Sequence, residues 1–316
     1  VGQPYVQGIA VQIGVDGDRG HPLLPTGADD PDGDLAPVCD QNLGEHDPMV
    51  IRMAPVSHLS PDGRGLEAPT GTRFGPVEHV PETGSTNADL AARVADAPDG
   101  LVRITDHQTA GRGRLDRRWD APPGTNLLVS VLVRPRWTAD RHPLVTTALA
   151  VATVDTLVGL GVNAAIKWPN DVVLVGGPAP GKVAGILAEL VAGPPPAVVV
   201  GLGLNVGWPL PADGPPGATS LTAAGTSATH GDLLAAVLAE FEARLGDLEA
   251  TDGPERLQAA HRDRSATVGS EVRVEASDGS LVGTAVGLDL DGSLLVDAGD
   301  GPVTIRAGDV VHLRPV

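Results

Sequence analysis

Two glycines alternate with two arginines, and two further arginines and a tryptophan follow, in the segment TAGRGRLDRRW at residues 109–119. We call this segment the Gly-Arg loop. Glycine lacks a Cβ atom, so the backbone here can approach a ligand closely and can adopt positive φ angles. Arginine presents a planar, permanently charged guanidinium that pairs with phosphate or carboxylate groups. Alone, the segment fits a basic surface loop equally well, but two later segments favour an anion-binding site.

The later segments are KWPND at residues 167–171 and KVAGI at residues 182–186. Each contains one of the two lysines of the chain, whereas arginine occurs twenty times. Arginine replaces lysine on most surfaces, but not where a compact ammonium must contact a small anionic group. Chance survival of two lysines is the alternative explanation. We interpret Lys167 and Lys182 as functional residues.

Length and composition limit the class of protein. A chain of 316 residues is long enough for one large domain or two unequal ones with a buried core. A net charge of −18, from 22 basic and 40 acidic residues, argues against nucleic acid as the main partner. The single cysteine, Cys39, fits a reducing compartment. Because neither a membrane-spanning run nor a signal peptide is visible, we expect a cytoplasmic protein without membrane contact.

Hydrophobic periodicity predicts alternating strands and helices over the middle of the chain. A helix is predicted to begin at Thr86, which has capping-box spacing with Asp89, so that small polar side chains lie at its N-terminus. Asn126–Val133 is predicted to be a central buried strand. Further strands are predicted at 101–106, 165–168, 172–175, 183–191 and 197–204, and further helices at 142–160, 231–249 and 254–262.

The two ends of the chain differ from its middle. From residue 268 the hydrophobic period changes to two, with Gly and Asp turns about ten residues apart, which predicts a small β-barrel at 268–316. Residues 1–72 are rich in glycine and proline, and we expect them to form a disordered N-terminal extension.

Five segments resemble the successive signatures of one family. They are GSTNADL at 84–90, HQTAGRGR at 107–114, KWPNDV at 167–172, GKVAGILAE at 181–189 and GLGLN at 201–205. On these motifs, about residues 78–316 resemble the biotin protein ligases. The resemblance implies an α+β fold like that of class II aminoacyl-tRNA synthetases, with a mixed β-sheet, helices packed on one face and a C-terminal SH3-like β-barrel. It divides the chain into the extension at 1–72, a catalytic biotin- and ATP-binding domain at 73–267 and the barrel at 268–316.

The resemblance also implies a two-step reaction with ATP, biotin and Mg²⁺. The carboxylate of biotin would attack the α-phosphate of ATP to give biotinyl-5′-AMP and pyrophosphate. The adenylate would then acylate one lysine of a biotin carboxyl carrier domain, as in acetyl-CoA carboxylase. Two anions must meet in the first step, so cations must lie between them. The catalytic residues implied by the resemblance are Lys182, Arg112, Arg114 and Asp171.

Two overlapping sets of binding residues are implied by the resemblance. The set that would bind biotin comprises Ser85, Thr86, Asn87, Gln108, Gly111, Arg112, Gly113, Arg114, Lys182 and Gly185. The set that would bind ATP and the adenylate comprises Arg114, Arg117, Trp119, Lys167, Asn170, Asp171, Lys182 and Asn205. In this interpretation Trp119 lies against adenine, Asn205 contacts the adenine edge, and Asp171 is the candidate Mg²⁺ ligand.

One position departs from the family pattern. Asp116 stands in the Gly-Arg loop where the family commonly has glycine. Aspartate adopts the left-handed backbone region less freely than glycine, and its charge would partly offset that of Arg117. The departure affects the details of triphosphate binding rather than the reaction.

Three other interpretations stay open. A lipoate protein ligase shares the fold and chemistry, although the GRGR and KWPND motifs favour biotin. A biotin-responsive transcriptional repressor would need an N-terminal DNA-binding domain, and residues 1–72 show no helix-turn-helix pattern, so we predict no DNA binding. An inactive binding module is the third alternative. For an active ligase, we expect the loops at 110–119 and 209–217 to close over the adenylate and exclude water.

Overall fold

A computed structural model describes residues 6–8, 66–193, 195–207, 215–276 and 279–313. Most of the glycine- and proline-rich segment at 1–72, and residues 209–214 of the predicted covering loop, lie outside the described residues. The expectations of N-terminal disorder and of closure by the 209–217 loop therefore stay predictions.

The described part of the chain forms two β-sheets, and the larger one contains eight strands. They are β1 (Val6–Gly8), β2 (Val77–Thr83), β3 (Val102–Gln108), β4 (Asn126–Val133), β5 (Ala164–Lys167), β6 (Asp171–Leu174), β7 (Gly181–Val191) and β8 (Ala197–Asn205). Their order is β2-β3-β4-β8-β7-β6-β5, and β1 pairs with β7. The β2–β3 pair is parallel and the other pairs are antiparallel, so the sheet is mixed as predicted.

Of the four helices among the described residues, three pack together on one side of the large sheet. These are α2 (Leu144–Gly159), α3 (His230–Glu249) and α4 (Gly253–Asp263), whereas α1 (Thr86–Ala92) packs on the opposite side. Every residue of β4 is buried because both of its faces are covered. The side chains of Leu127, Val129 and Val131 enter the core shared with α2 and α3, while Leu132 packs against α1.

The smaller sheet forms the C-terminal unit. Its strands are β9 (Glu271–Ala276), β10 (Gly279–Leu288), β11 (Leu294–Asp297), β12 (Pro302–Ile305) and β13 (Asp309–His312), in the antiparallel order β12-β11-β10-β9-β13. Trp168 from the turn after β5 is buried in the core of this unit. Its indole N–H donates to the Gly292 carbonyl at 3.0 Å, so one side chain attaches the small sheet to the large one.

The first helix begins at Thr86 as predicted, but its capping differs from the prediction, and the second helix begins two residues later than predicted. The capping box does not form, because Asp89 accepts hydrogen bonds from Thr83 Oγ1 and pairs with Arg103. The backbone N–H of Thr86 instead donates to Gln108 Oε1 at 2.9 Å, so a neighbouring strand caps the helix. The helix predicted from residue 142 begins at Leu144, after a 3₁₀ turn at Ala139–Arg141.

Membrane insertion receives no support from the helices. Within the described ranges, none of them combines the length and the apolar character needed to cross a bilayer.

The buried side chain of His261 on α4 makes the stability of the folded protein depend on pH. Its side chain is buried, and burial lowers the pKa of His261 from an ordinary 6.5 to about 4. Because the unfolded chain takes up this proton first as the pH falls, the folded state loses stability between about pH 6.5 and pH 4.

We expect the free energy of unfolding to fall by roughly 2 kcal/mol more between pH 7 and pH 5 in the parent protein than in His261→Gln. The difference arises because the variant removes the group that must be buried uncharged. Urea unfolding at the two pH values measures it. The other buried histidines are common to both proteins, so identical pH dependence of parent and variant would refute this role of His261.

Candidate functional site

A cavity of about 360 Å³ lies on the face of the large sheet opposite α2 and α3, between the Gly-Arg loop and β13. Fourteen of the sixteen predicted site residues line it. They are Ser85, Thr86, Asn87, Gln108, Arg112, Gly113, Arg114, Arg117, Trp119, Lys167, Asn170, Asp171, Lys182 and Gly185. The fold thus gathers residues separated by up to about 100 positions in the sequence into one cleft.

One wall of the cavity is a chain of hydrogen-bonded polar side chains. We call Thr86, Asn87, Gln108 and Ser130 the polar wall. Ser130 Oγ lies 2.7 Å from Thr86 Oγ1 and 2.6 Å from Asn87 Oδ1, and Thr86 Oγ1 lies 3.1 Å from Gln108 Oε1. Thr86, Asn87 and Ser130 are buried, so the wall is fixed before any ligand binds.

A β-bulge directs Lys182 into the cavity. Val183 is the extra residue, because Lys182 and Ala184 on either side of it pair with consecutive residues of β6. Strict alternation along β7 would place Lys182 on the core face with Ala184. The bulge places Val183 in the core instead and leaves Lys182 on the cavity face beside Gly185. Bulges near active sites commonly re-aim a side chain in this way.

A neighbouring segment satisfies the backbone of the bulge. The Lys182 N–H donates to the Gly217 carbonyl at 2.7 Å, and the Lys182 carbonyl accepts from the Thr219 N–H at 2.8 Å. A Cβ atom on Gly181 would come 2.5 Å from the Gly217 oxygen, so this approach requires glycine. The position of the lysine therefore depends on a segment that follows it by about 35 residues.

Lys182 lies between an acid and an aromatic ring. Its Nζ atom is 2.6 Å from Asp171 Oδ1 and 5.6 Å from the ring centroid of Trp119. The second distance is within the range of a cation–π interaction. The indole lies on a floor of glycines, since a Cβ atom at Gly185 or Gly203 would come 2.8 or 2.6 Å from ring atoms. The predicted contact of Trp119 with adenine stays a prediction.

The arginines of the Gly-Arg loop contact three different parts of the site. Arg112 Nη2 donates to Glu189 Oε2 at 2.9 Å, and Arg114 Nη1 donates to Asn170 Oδ1 at 3.4 Å. Arg117 forms an ion pair with Asp309 of β13. Burial lowers the pKa of Arg114, while the nearby carboxylates of Asp309 and Asp171 oppose the shift. Its ordinary pKa is so high that the guanidinium stays charged at neutral pH.

Two predicted residues do not line the cavity. Gly111, near the start of the Gly-Arg loop, lies against Trp119 at the end of the loop. Its carbonyl accepts from the Trp119 N–H at 3.0 Å, and a Cβ atom on Gly111 would collide with the Trp119 carbonyl. Asn205 is buried, with Oδ1 accepting from Asn126 at 2.7 Å and Nδ2 donating to the Thr219 carbonyl at 2.8 Å. Its amide is thus engaged within the protein, and the contact of Asn205 with the adenine edge stays a prediction.

The structure adds residues that the motifs did not single out. Ser130 is a polar residue within the apolar strand β4, and Glu189 is a charged residue within the largely buried strand β7. Because a buried charge requires a partner, a glutamate within the apolar run at residues 186–191 could have been recognised from the sequence as a candidate site residue. Asp309, Val310 and Val311 of the small sheet also line the cavity, and no local pattern connects them with it.

Comparison with known proteins agrees with this geometry. Residues 76–205 match the biotin/lipoate A/B protein ligase family, and residues 267–313 match the biotin protein ligase C terminal domain. The chain belongs to the biotin/lipoate A/B protein ligase family. Within that family it falls among the biotin protein ligases, which confirms the resemblance and the fold class predicted from the motifs.

Three similar proteins illustrate this placement. The biotin–[acetyl-CoA-carboxylase] ligase of Mycobacterium tuberculosis is 41% identical over 253 residues, 77% of this chain and 91% of the relative. The bifunctional ligase/repressor BirA of Bacillus subtilis is 32% identical, over 68% of this chain and 66% of the relative. A biotin protein ligase from Aquifex aeolicus, solved in complex with biotin and ATP, has a TM-score of 0.65 at 25% identity, covering 77% of this chain and 100% of that one.

Gly201→Ala should destabilise the fold. The added Cβ atom would collide with Asn87 Oδ1, and Asn87 cannot retreat because its amide nitrogen is bound to Leu187 and Glu189. We expect a loss of roughly 1–3 kcal/mol in the free energy of unfolding, measured in urea. Gly207→Ala is the matched control, because its Cβ atom would meet nothing within 4 Å. Equal stability of the two variants would contradict this packing.

Asp116→Gly should relieve backbone strain in the Gly-Arg loop. Leu115 and Asp116 have φ angles of 54° and 57°, in the left-handed region. Asp120→Gly is the control, since Asp120 does not have a positive φ and the entropy gained by the unfolded chain is the same. We expect Asp116→Gly to be about 1 kcal/mol more stable than the control in thermal unfolding. A less stable Asp116→Gly would show that the aspartate side chain stabilises the loop.

Proposed function

We propose that this chain is an ATP-dependent biotin protein ligase, which activates biotin as biotinyl-5′-AMP and transfers it to a lysine ε-amine of a biotin carboxyl carrier domain. The observation that supports this most directly is the common cavity of Lys182, Arg112 and Arg114. Three cations converge there in a protein whose net charge is −18. Such convergence suits a reaction in which two anionic groups must approach each other.

In the first step, a carboxylate oxygen of biotin attacks the α-phosphorus of ATP, and the bond to pyrophosphate breaks. Lys182 has a compact ammonium on the cavity face and would lie against both reacting anions, with Asp171 holding it at 2.6 Å. Arg114 would stabilise charge on the phosphate, and its partial burial strengthens that interaction. In the second step, the carrier amine attacks the acyl carbon of the adenylate and AMP leaves.

The polar wall supports biotin rather than lipoate as the acid. The ureido ring of biotin has N–H donors and a carbonyl acceptor that can pair with buried side chains such as Thr86 and Ser130. The dithiolane ring of lipoate has none of these groups, so it would leave wall atoms without partners. Each unpaired buried polar group costs about 1–3 kcal/mol.

The residues present fit a magnesium ion supplied with ATP. Among the described residues, no cluster of three or more His, Cys, Asp or Glu side chains is arranged to hold a metal by itself. Mg²⁺ commonly binds through one or two carboxylates together with substrate phosphates, and Asp171 on the cavity wall can provide one. When bound, the ion would neutralise charge on the phosphates.

We further propose that the two sheets belong to domains with different roles. Residues 73–267 would form the catalytic domain, and residues 268–316 would close one side of its nucleotide site. The ion pair between Arg117 and Asp309 supports this proposal, because it links the Gly-Arg loop to β13.

The decisive assay is ATP-dependent transfer of labelled biotin to a purified carrier domain, with adenylate formation followed by biotin-dependent pyrophosphate release. Lys182→Ala should lower kcat/KM for adenylate formation by roughly 100-fold to 1,000-fold, because the ammonium stabilises charge in the transition state. Arg256→Ala is the control, since this exposed arginine on α4 does not line the cavity, and it should retain parent activity.

Two results would overturn the proposal. Activation of lipoate without activation of biotin would identify a lipoate ligase. Adenylate formation by Lys182→Ala at the parent rate would remove the ammonium from the reaction.

A further inference from the structure

Glu189 is a buried carboxylate to which the proposed reaction assigns no role. Its side chain is only 6% exposed on β7. The same oxygen, Oε2, accepts from Asn87 Nδ2 at 2.8 Å and from Arg112 Nη2 at 2.9 Å. One atom therefore connects helix α1 and the Gly-Arg loop to the central strand of the site.

The charge of Glu189 holds the Arg112 side chain in place. A buried carboxylate is stable only with a positive partner and hydrogen bonds, and Arg112 provides the charge. The Arg112 side chain is 43% exposed, so it extends from the buried carboxylate to the cavity. Holding this flexible side chain in place before a ligand arrives reduces the conformational entropy that binding must remove.

Glu189 also fixes which way the Asn87 amide points. An ionised carboxylate only accepts hydrogen bonds, so the amide nitrogen of Asn87 must face it. The same nitrogen donates to the Leu187 carbonyl at 3.1 Å. The amide oxygen is thereby turned towards Ser130, whose hydroxyl donates to it at 2.6 Å.

The orientation of the Asn87 amide determines the hydrogen bonds of its neighbour in the polar wall. Ser130 Oγ lies within hydrogen-bond distance of both Asn87 Oδ1 and Thr86 Oγ1, but it has a single hydroxyl hydrogen. Because the Asn87 oxygen can only accept, we infer that this hydrogen is donated to Asn87 and that the Thr86 hydroxyl provides the hydrogen of the other contact. The backbone N–H of Thr86 donates to Gln108 Oε1, which directs the amide nitrogen of Gln108 away from the helix. Glu189 and the Leu187 carbonyl thus orient Asn87 and, through it, Ser130, whereas the backbone of Thr86 orients Gln108.

We propose that Glu189 is a positioning residue for biotin: it holds the Arg112 guanidinium and sets the donor–acceptor direction of the polar wall. The inference rests on the proposed function, since the ureido ring of biotin is the group that would form hydrogen bonds with these donors and acceptors. When the donors and acceptors of the wall are fixed, a ring that has both N–H donors and a carbonyl acceptor pairs with them in one orientation. The ATP side of the cavity, around Lys167 and Asp171, has no hydrogen bond to Glu189 among those that the described residues form.

Glu189→Gln tests this role with little change of shape. The variant removes the negative charge that pairs with Arg112 and replaces the other carboxylate oxygen by an amide nitrogen, which can donate but not accept. We expect the KM for biotin in pyrophosphate release to rise by about 10-fold or more, since Arg112 loses its charged partner and the polar wall is no longer held in one hydrogen-bonding arrangement. The KM for ATP should change by less than about threefold, because the perturbed groups face biotin.

Glu242→Gln is the matched control. Glu242 is also a partly buried carboxylate, paired with Arg73 at 3.1 Å on the helical side of the protein. Its replacement should lower the melting temperature and leave both KM values at those of the parent. The same pattern in Glu189→Gln, or an equal rise of both KM values, would overturn the positioning role.

A second variant applies if Glu189→Gln does not fold. Ser130→Ala interrupts the polar wall one link further along and leaves the Glu189–Arg112 pair intact. It should also raise the KM for biotin selectively, and an unchanged KM for biotin would overturn the proposal. Absence of biotin-dependent pyrophosphate release in the folded parent protein would instead refute the proposed function, so the two failures are distinguishable.

Discussion

Successive side chains of a β-strand lie on opposite faces of the sheet, and this alternation governs the arrangement of the whole catalytic unit. In β4, Leu127, Val129 and Val131 pack against the helices, which leaves Ser130 to face the cavity. In β8 the cavity face carries Gly201 and Gly203, which leave room for Asn87 and Trp119 respectively. One face of the sheet therefore packs against α2 and α3, and the other carries both the small core under α1 and the cavity. Lys182 reaches the binding face only because the bulge at Val183 interrupts the alternation.

The electrostatics of the cavity follow from the same arrangement. Lys182 and Arg112 enter the site from different elements, yet each is held by a carboxylate, Asp171 and Glu189 respectively. In a protein with a net charge of −18, these partners keep the cations oriented while the cavity retains positive groups for an anionic ligand. A preorganised site of this kind needs little rearrangement when charge develops during a reaction.

Much of the fold was predictable because long apolar patterns record it. The predicted strands around β4, β7 and β8 and the helix α3 are present, and five ordered motifs indicated the family. Local rules failed where a distant group competes for a partner. Asp89, for example, binds Arg103 instead of capping α1. Such competition between groups far apart in sequence has no local signature.

The sequence by itself determined the main strands and helices, through the spacing of apolar residues, and it contains five motifs. The resemblance of these motifs to the biotin protein ligases implied the mixed sheet and fourteen of the residues that line the cavity. Tertiary structure decided which way those residues face and what holds them. The bulge that turns Lys182, the burial of Glu189 beneath Arg112 and the approach of Asp309 to the Gly-Arg loop all require contacts between separate elements. Their physical basis is the satisfaction of buried charges and backbone groups by whatever partner the folded chain brings near.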